Sequence, residues 1–165
     1  MELLDVYDND GKVTGRVVTR GDKTTSLSAN EHIAVGVIFI QNSKGEFLIQ
    51  KTSEQKGGEY TSTGGHIDSG ETPLQSIKRE VKEELGLNVD NDDIIELGYL
   101  LYDRPIRFMF YLQKDVDVKS LVLQTEEVAY AEFMSKEEIK KLIQQGQMLE
   151  SHAKIFNKVL EYIEN

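Results

Sequence analysis

Glu80, Glu83 and Glu84 place three carboxylates within little more than one helical turn. Side chains three and four residues apart share a helix face, and like charges there oppose the helix by a few tenths of a kcal/mol per pair. A helix that carries this cost has reason to hold a cation. Hard divalent ions with oxygen ligands, Mg²⁺ above all, suit such a cluster. An ion held there can polarise phosphoryl oxygens, activate water and template the geometry of a displacement. Without further context, the same three residues also read as a solvated charged face.

The helix that would carry them has well-marked ends. Thr72 is placed to cap, Pro73 fits the first turn, and Gln75 completes a capping-box pattern. Gly86 is placed to terminate the helix. Leu74, Ile77, Val81 and Leu85 form an apolar stripe that docks it on the domain, while the acidic residues occupy other positions and can face a cleft.

Around this helix the pattern is mostly of strands. Leu3 to Asp8 and Val13 to Val18 flank a turn at Asn9-Asp10-Gly11. Residues 21–31 are polar and read as a loop. His32 to Gln41 is apolar and β-branched, a buried strand, and Asn42-Ser43-Lys44-Gly45 turns it into a second strand at Glu46 to Lys51, as a hairpin. Lys56-Gly57-Gly58-Glu59 marks a loop before a short strand near Tyr60 to Thr63. Ile94 to Tyr102 and Ile106 to Gln113 form another hairpin about Asp103-Arg104-Pro105. Glu127 to Met134 is a later strand. Ser135 with Glu138 is a second capping box, opening a helix toward Gln145. Ser151 to Glu164 is a last helix, with Ile155, Phe156, Val159, Leu160 and Ile163 inward. No composition shift divides the chain, so residues 1–165 read as one α/β domain.

The 165 residues include 39% hydrophobic types, enough for a core. There is no cysteine, which rules out disulfides, thiolate catalysis and cysteine metal sites within this chain. The formal net charge of −10 argues against a broad footprint on DNA or RNA. It leaves small phosphorylated ligands open, because a bound metal reverses the local sign. The N-terminal residues lack the basic and apolar pattern of a signal peptide. The longest apolar run, Ile33 to Ile40, is too short to span a bilayer. A soluble, cytoplasmic protein with no membrane partner is expected.

Residues 65–87 resemble the Nudix box, Gly-x5-Glu-x7-Arg-Glu-U-x-Glu-Glu-x-Gly-U, where U is bulky and apolar. Gly65, Glu71, Arg79, Glu80, Val81, Glu83, Glu84, Gly86 and Leu87 meet every specified position. A looser resemblance reaches from about Leu3 to about Ile143, toward bacterial Nudix proteins that look like isopentenyl-diphosphate isomerase. It rests on Leu4-Asp5-Val6-Tyr7-Asp8, Gly11, Gly15-Arg16, the segment Gly45 to Lys51, and Gly64-Gly65-His66. The resemblance implies the Nudix fold, a mixed β-sheet sandwiched between α-helices. It also implies Mg²⁺, or Mn²⁺, as the cofactor.

By resemblance, Glu83 and Glu84 are direct metal ligands, and Glu80 is a ligand or a general base. Arg79 pairs with a neighbouring carboxylate and holds its rotamer. Glu71 is a secondary or water-mediated ligand, and Gly65 supplies a backbone carbonyl to the ion. The family often draws one more acid from a distant loop; Glu126 and Glu127 stand there, and Glu127 is favoured as base or ligand. In the isomerases a histidine near the place of His32 and another near that of His66 bind metal. Tyr60, Tyr102, Phe108 and Phe110 are candidates for stacking or for the core, and Arg104 and Arg107 for phosphate or for solvent.

Three functions follow. The first is Mg²⁺-dependent hydrolysis of a nucleoside diphosphate linked to another moiety, or of a related diphosphate. The second is isomerisation of isopentenyl diphosphate, disfavoured because those enzymes use a cysteine where Gly64 stands. The third is a non-catalytic nucleotide sensor, against which the intact box argues. The partner is a small diphosphate, not a nucleic-acid polymer, and a homodimer is implied by resemblance alone.

Overall fold

The computed structural model describes residues 2–21 and 27–165. The loop expected at 21–31 falls partly on residues 22–26, which lie outside the described residues. The remaining elements follow the expected order. Strands β1 (Leu3–Tyr7) and β2 (Val13–Thr19) form a separate two-stranded ribbon. Strands β3 (Ala34–Gln41), β4 (Phe47–Thr52), β5 (Tyr60–Thr61), β6 (Thr63–His66), β7 (Ile95–Leu101), β8 (Ile106–Gln113) and β9 (Val128–Met134) join in a mixed sheet. Helices α1 (Pro73–Leu85), α2 (Lys136–Gln144) and α3 (Glu150–Glu164) cover it. No helix among the described residues is long and apolar enough to cross a membrane.

The unbroken apolar run of β3 is explained by burial on both faces. Successive strand residues point to opposite sides. Val37 and Phe39 join the cluster under α2 and α3, with Phe47, Ile49, Phe156 and Val159. Ile38 and Ile40 join the cluster under α1, with Ile77, Val81, Leu85 and Phe110. The sheet therefore lies between α1 on one face and the two later helices on the other.

One expectation is modified. β3 and β4 are joined by the expected tight turn, yet they pair only at Gln41 and Phe47. β3 instead runs parallel to β8 along its whole length and antiparallel to β6. β4 diverges to pair with β9 and β5. The splaying opens the sheet between β4 and β6, and the gap is filled by side chains from α1. The strand expected near Tyr60 to Thr63 is correspondingly two strands, β5 and β6, turning at Ser62.

Helix α1 forms where its signals place it. Thr72 accepts a hydrogen bond from the Gln75 amide, and the Gln75 side chain returns one from the Thr72 amide. Gly86 closes the helix in the left-handed conformation at φ 64°. A Cβ there would also stand 2.8 Å from Val122, so this position needs glycine for space as well as for backbone conformation. Ile77, Val81 and Leu85 are fully buried, each contributing about 1.5–3 kcal/mol over exposure.

Candidate metal and phosphate site

The solvent-side face of α1 meets strand β6 and the segment before β9 around a cavity of about 240 Å³. Gly64, Gly65, Glu80, Glu83, Glu84 and Glu127 form its acidic wall. Arg20, paired with Glu2 at 2.8 Å, and His66 also line it.

Arg79 organises this wall. Its Nε and Nη2 donate to the two oxygens of Glu71 at 2.8 and 2.9 Å. Its Nη1 donates to Glu80 at 2.9 Å and to Glu83 at 3.2 Å. Nη2 also reaches the His66 carbonyl at 3.2 Å. The planar, forked guanidinium suits several carboxylates at once, where a lysine would act as a single point charge. The Glu71 hydrogen bonds and the adjacent carboxylates hold the guanidinium firmly protonated.

Glu71 differs from its neighbours. Its oxygens take the arginine fork and the Asp68 amide, and it is not among the residues lining the cavity. The arginine hydrogen bonds hold its carboxyl below the usual range. The structure therefore places Glu71 behind Arg79, as an anchor for the guanidinium.

The inner carboxylates carry the opposite signature. Glu84 is only 7% exposed, and burial raises its carboxyl well above the usual range, with the hydrogen bond to Glu80 adding to the rise. Burial also raises Glu80. Glu83 is half-exposed and turned to Arg79. Among the described residues, no group of three or more His, Cys, Asp or Glu side chains is gathered closely enough to hold a metal ion. The donor set is entirely hard oxygen, which fits Mg²⁺ or Mn²⁺ and disfavours softer metals.

Gly65 shows the second sign of a shaped cradle. A Cβ built on it would overlap the Glu80 carboxyl carbon and oxygen. Glycine lets the backbone and this carboxylate lie side by side. Gly64 is constrained from the other side: its Cβ would overlap the Gly36 carbonyl across the β3–β6 pairing.

Glu127 arrives from far along the chain. The Val122 and Gln124 amides donate to the Leu85 and Glu84 carbonyls at 3.0 Å, closing the end of α1. The Glu127 amide then donates to the Gln124 carbonyl at 2.9 Å. The same segment that caps the box helix thereby delivers Glu127 to the cavity, where its carboxylate pairs with Lys56 at 3.3 Å. Glu126 does not line the cavity; its carbonyl accepts from Ser53.

The other candidates lie elsewhere, His66 excepted. His32 is bound by the Asn9 side chain and the Arg104 carbonyl, away from the cavity. Phe110 is core, Phe108 packs between Tyr7 and Tyr99, and Tyr60 pairs with Tyr130. Tyr102 lies on the surface between Arg107 and Lys154. Arg104 donates to the Leu27 carbonyl and Arg107 to the Pro105 carbonyl. Sequence reasoning does not single out Arg20, Gln50 or Gln124. Gln50 alone leaves a trace, as a polar residue at the end of the apolar run Phe47-Leu48-Ile49.

Residues 30–159 match the NUDIX domain model. A protein of Listeria monocytogenes, named an uncharacterized Nudix hydrolase, is 35% identical, over 90% of this chain and 89% of its own. An isopentenyl-diphosphate Delta-isomerase of Corynebacterium diphtheriae is 31% identical, over 65% of this chain and 58% of its own. A solved structure from Deinococcus radiodurans superposes with TM-score 0.78 at 20% identity, covering 94% of this chain and 98% of that one. The chain belongs to the Nudix family. It is a pyrophosphohydrolase of the Nudix type, and its fold is the mixed sheet between helices that the box resemblance implies.

Proposed function

We propose that this enzyme is a Mg²⁺-dependent hydrolase, with Mn²⁺ as an alternative ion. Its substrate is a nucleoside diphosphate linked to another moiety, or a related diphosphate. The observation that carries this reading is the cavity lined by Glu80, Glu83, Glu84 and Gly65, with Glu80 against the Gly65 backbone and Arg79 bonded to Glu80 and Glu83. Glu83, Glu84, Glu80 and the Gly65 carbonyl would hold the ion. When bound, the ion supplies charge neutralisation for the diphosphate and acidifies a water.

The chain's own residues do the rest. Arg79, anchored by Glu71, keeps Glu80 and Glu83 turned inward. Arg20, which lines the cavity beside its partner Glu2, is placed to meet phosphate oxygens. Glu127 is free of the arginine cluster and stands at the cavity edge, so we read it as the acceptor of the water proton and Glu80 as a ligand. The ribbon β1–β2 belongs to the same working unit, residues 1–165. The Ser69 amide donates to the Leu3 carbonyl at 2.7 Å, and the Ser69 hydroxyl to Asp5 at 2.7 Å. The ribbon is thus fastened to the loop that precedes α1.

The isomerase reading has little support in this chain. It lacks cysteine, and at Gly64 even a Cβ would overlap the Gly36 carbonyl. The test is product release with Mg²⁺ across nucleoside di- and triphosphates, nucleotide sugars, ADP-ribose, dinucleoside polyphosphates, coenzyme A and isopentenyl diphosphate. Selective Mg²⁺-dependent cleavage, lost in the Glu83→Gln/Glu84→Gln double variant, is the expected result. Full activity in that variant overturns the site. Silence across the panel with Mg²⁺ still bound favours a sensor.

A further inference from the structure

We infer that Gln50 is a positioning residue for Glu84, and that Thr63 holds the far end of the Gln50 amide in place. This rests on the reading that Glu84 holds the divalent ion. The residue two before Gln50 in β4, Leu48, packs in the cluster under α1. The alternation of the strand points Gln50 to that same side, where an aliphatic side chain would pack. Instead an amide lies there, 4% exposed.

A buried amide is costly unless both ends are bonded. Both ends are. Gln50 Nε2 donates to Glu84 Oε1 at 2.7 Å. Gln50 Oε1 accepts from the Thr63 hydroxyl at 2.9 Å. The amide oxygen cannot donate, so Thr63 must give its single proton to it. The ionised Glu84 carboxylate, which can only accept, selects the NH₂ end, and the Thr63 hydroxyl bonds the oxygen end. An amide turned over would set its oxygen against the ionised carboxylate and lose the bond to Glu84. One Glu84 oxygen is thereby held to the sheet, which limits the rotation of the carboxylate as a whole.

The three residues come from β4, β6 and α1, all regular elements, so the bond spans the gap that the splayed β3–β4 hairpin opens. Supports of this kind, which bond a metal ligand from behind, set its direction. Removing one typically weakens metal binding about 10-fold to 100-fold.

The test is Mn²⁺ affinity of the full chain by electron paramagnetic resonance, with the metal-free melting temperature measured alongside. Gln50→Leu removes the donor at similar volume. Thr63→Val removes only the hydroxyl that anchors the far end of the amide, and Thr63→Ser restores it. Glu84→Gln serves as the reference for loss of the ligand. The expected result is Mn²⁺ binding weakened about 10-fold or more in Gln50→Leu and Thr63→Val, and near the parent value in Thr63→Ser. A purely structural role would lower the melting temperature while leaving the affinity of the folded protein unchanged. Parent-like affinity in Gln50→Leu and Thr63→Val, with loss in Glu84→Gln, overturns the positioning role alone. Retained affinity in Glu84→Gln overturns the metal reading itself. Should Gln50→Leu fail to fold, the Thr63 pair decides.

Discussion

The backbone of Gly65 lies so close against Glu80 that a Cβ at residue 65 would overlap the carboxyl group. The Glu80 carboxyl is the far end of a flexible side chain, so a Gly65→Ala variant folds by pushing it aside. Catalytic geometry suffers more than stability. A displacement of about 1 Å can cost about 100-fold in rate, and a loss of that order in kcat/KM is expected with a small change in melting temperature. Parent-like kinetics in Gly65→Ala would show that the apposition has no part in the reaction.

Arg79→Lys tests the hub. Lysine keeps the charge but cannot bridge Glu71, Glu80 and Glu83 together. Arg79 is partly exposed, so the expected loss is discounted to about 2 kcal/mol by denaturant titration, below the range for fully buried pairs. Activity should fall with it. A variant as stable as the parent would mean that the guanidinium bonds are replaceable by a point charge.

Glu84 gives a pH dependence whose sign the metal reverses. Burial raises its carboxyl in the metal-free protein, so at neutral pH the folded chain binds a proton that the unfolded chain has released. Stability of the metal-free protein should therefore fall as pH rises from the ordinary carboxylate range toward the raised value. Mg²⁺, which binds the ionised form, should flatten that slope, and so should Glu84→Gln. Melting curves with chelator and with Mg²⁺ across pH check this; a slope that Mg²⁺ does not touch would argue against binding at Glu84.

His152 acts in the other direction. Burial pushes its imidazole down to about 4, with the Arg107 charge contributing. Its Nδ1 accepts from the Ser62 amide at 3.1 Å, which requires that nitrogen to be unprotonated. Below the ordinary histidine value the unfolded chain takes up a proton that the folded chain refuses. Stability should thus drop as pH falls from about 6.5 toward about 4, by on the order of 3 kcal/mol. In a His152→Gln variant this acid limb should shrink, and an unchanged limb would assign it to other groups.

Glu127→Gln separates base from ligand. If Glu127 takes the water proton, kcat falls while Mn²⁺ affinity holds, and the acid limb of the pH–rate profile moves or vanishes. An unchanged profile would return the role of base to Glu80.

Much of this molecule is written locally. The reciprocal bonds of Thr72 and Gln75, the left-handed Gly86 and the 3.6-residue stripe of Ile77, Val81 and Leu85 depend on residues a few positions apart. They are therefore legible in order, as is the crowding of Glu80, Glu83 and Glu84 that asks for a cation. What depends on residues distant in the chain is not legible in this way. The opening of the β3–β4 hairpin follows from β6 taking the β3 edge that β4 leaves, while β9 and β5 take β4. The turn between β3 and β4 gives no sign of it. Glu127 reaches the cavity because the amides of Val122 and Gln124 finish the end of α1, and Glu71 turns from the cavity because Arg79 takes its oxygens. Gln50 looks like any polar strand residue until Thr63 and Glu84 close on its two ends. Each of these is a choice among partners of comparable local merit, and it is settled by which of them packing brings within hydrogen-bond reach.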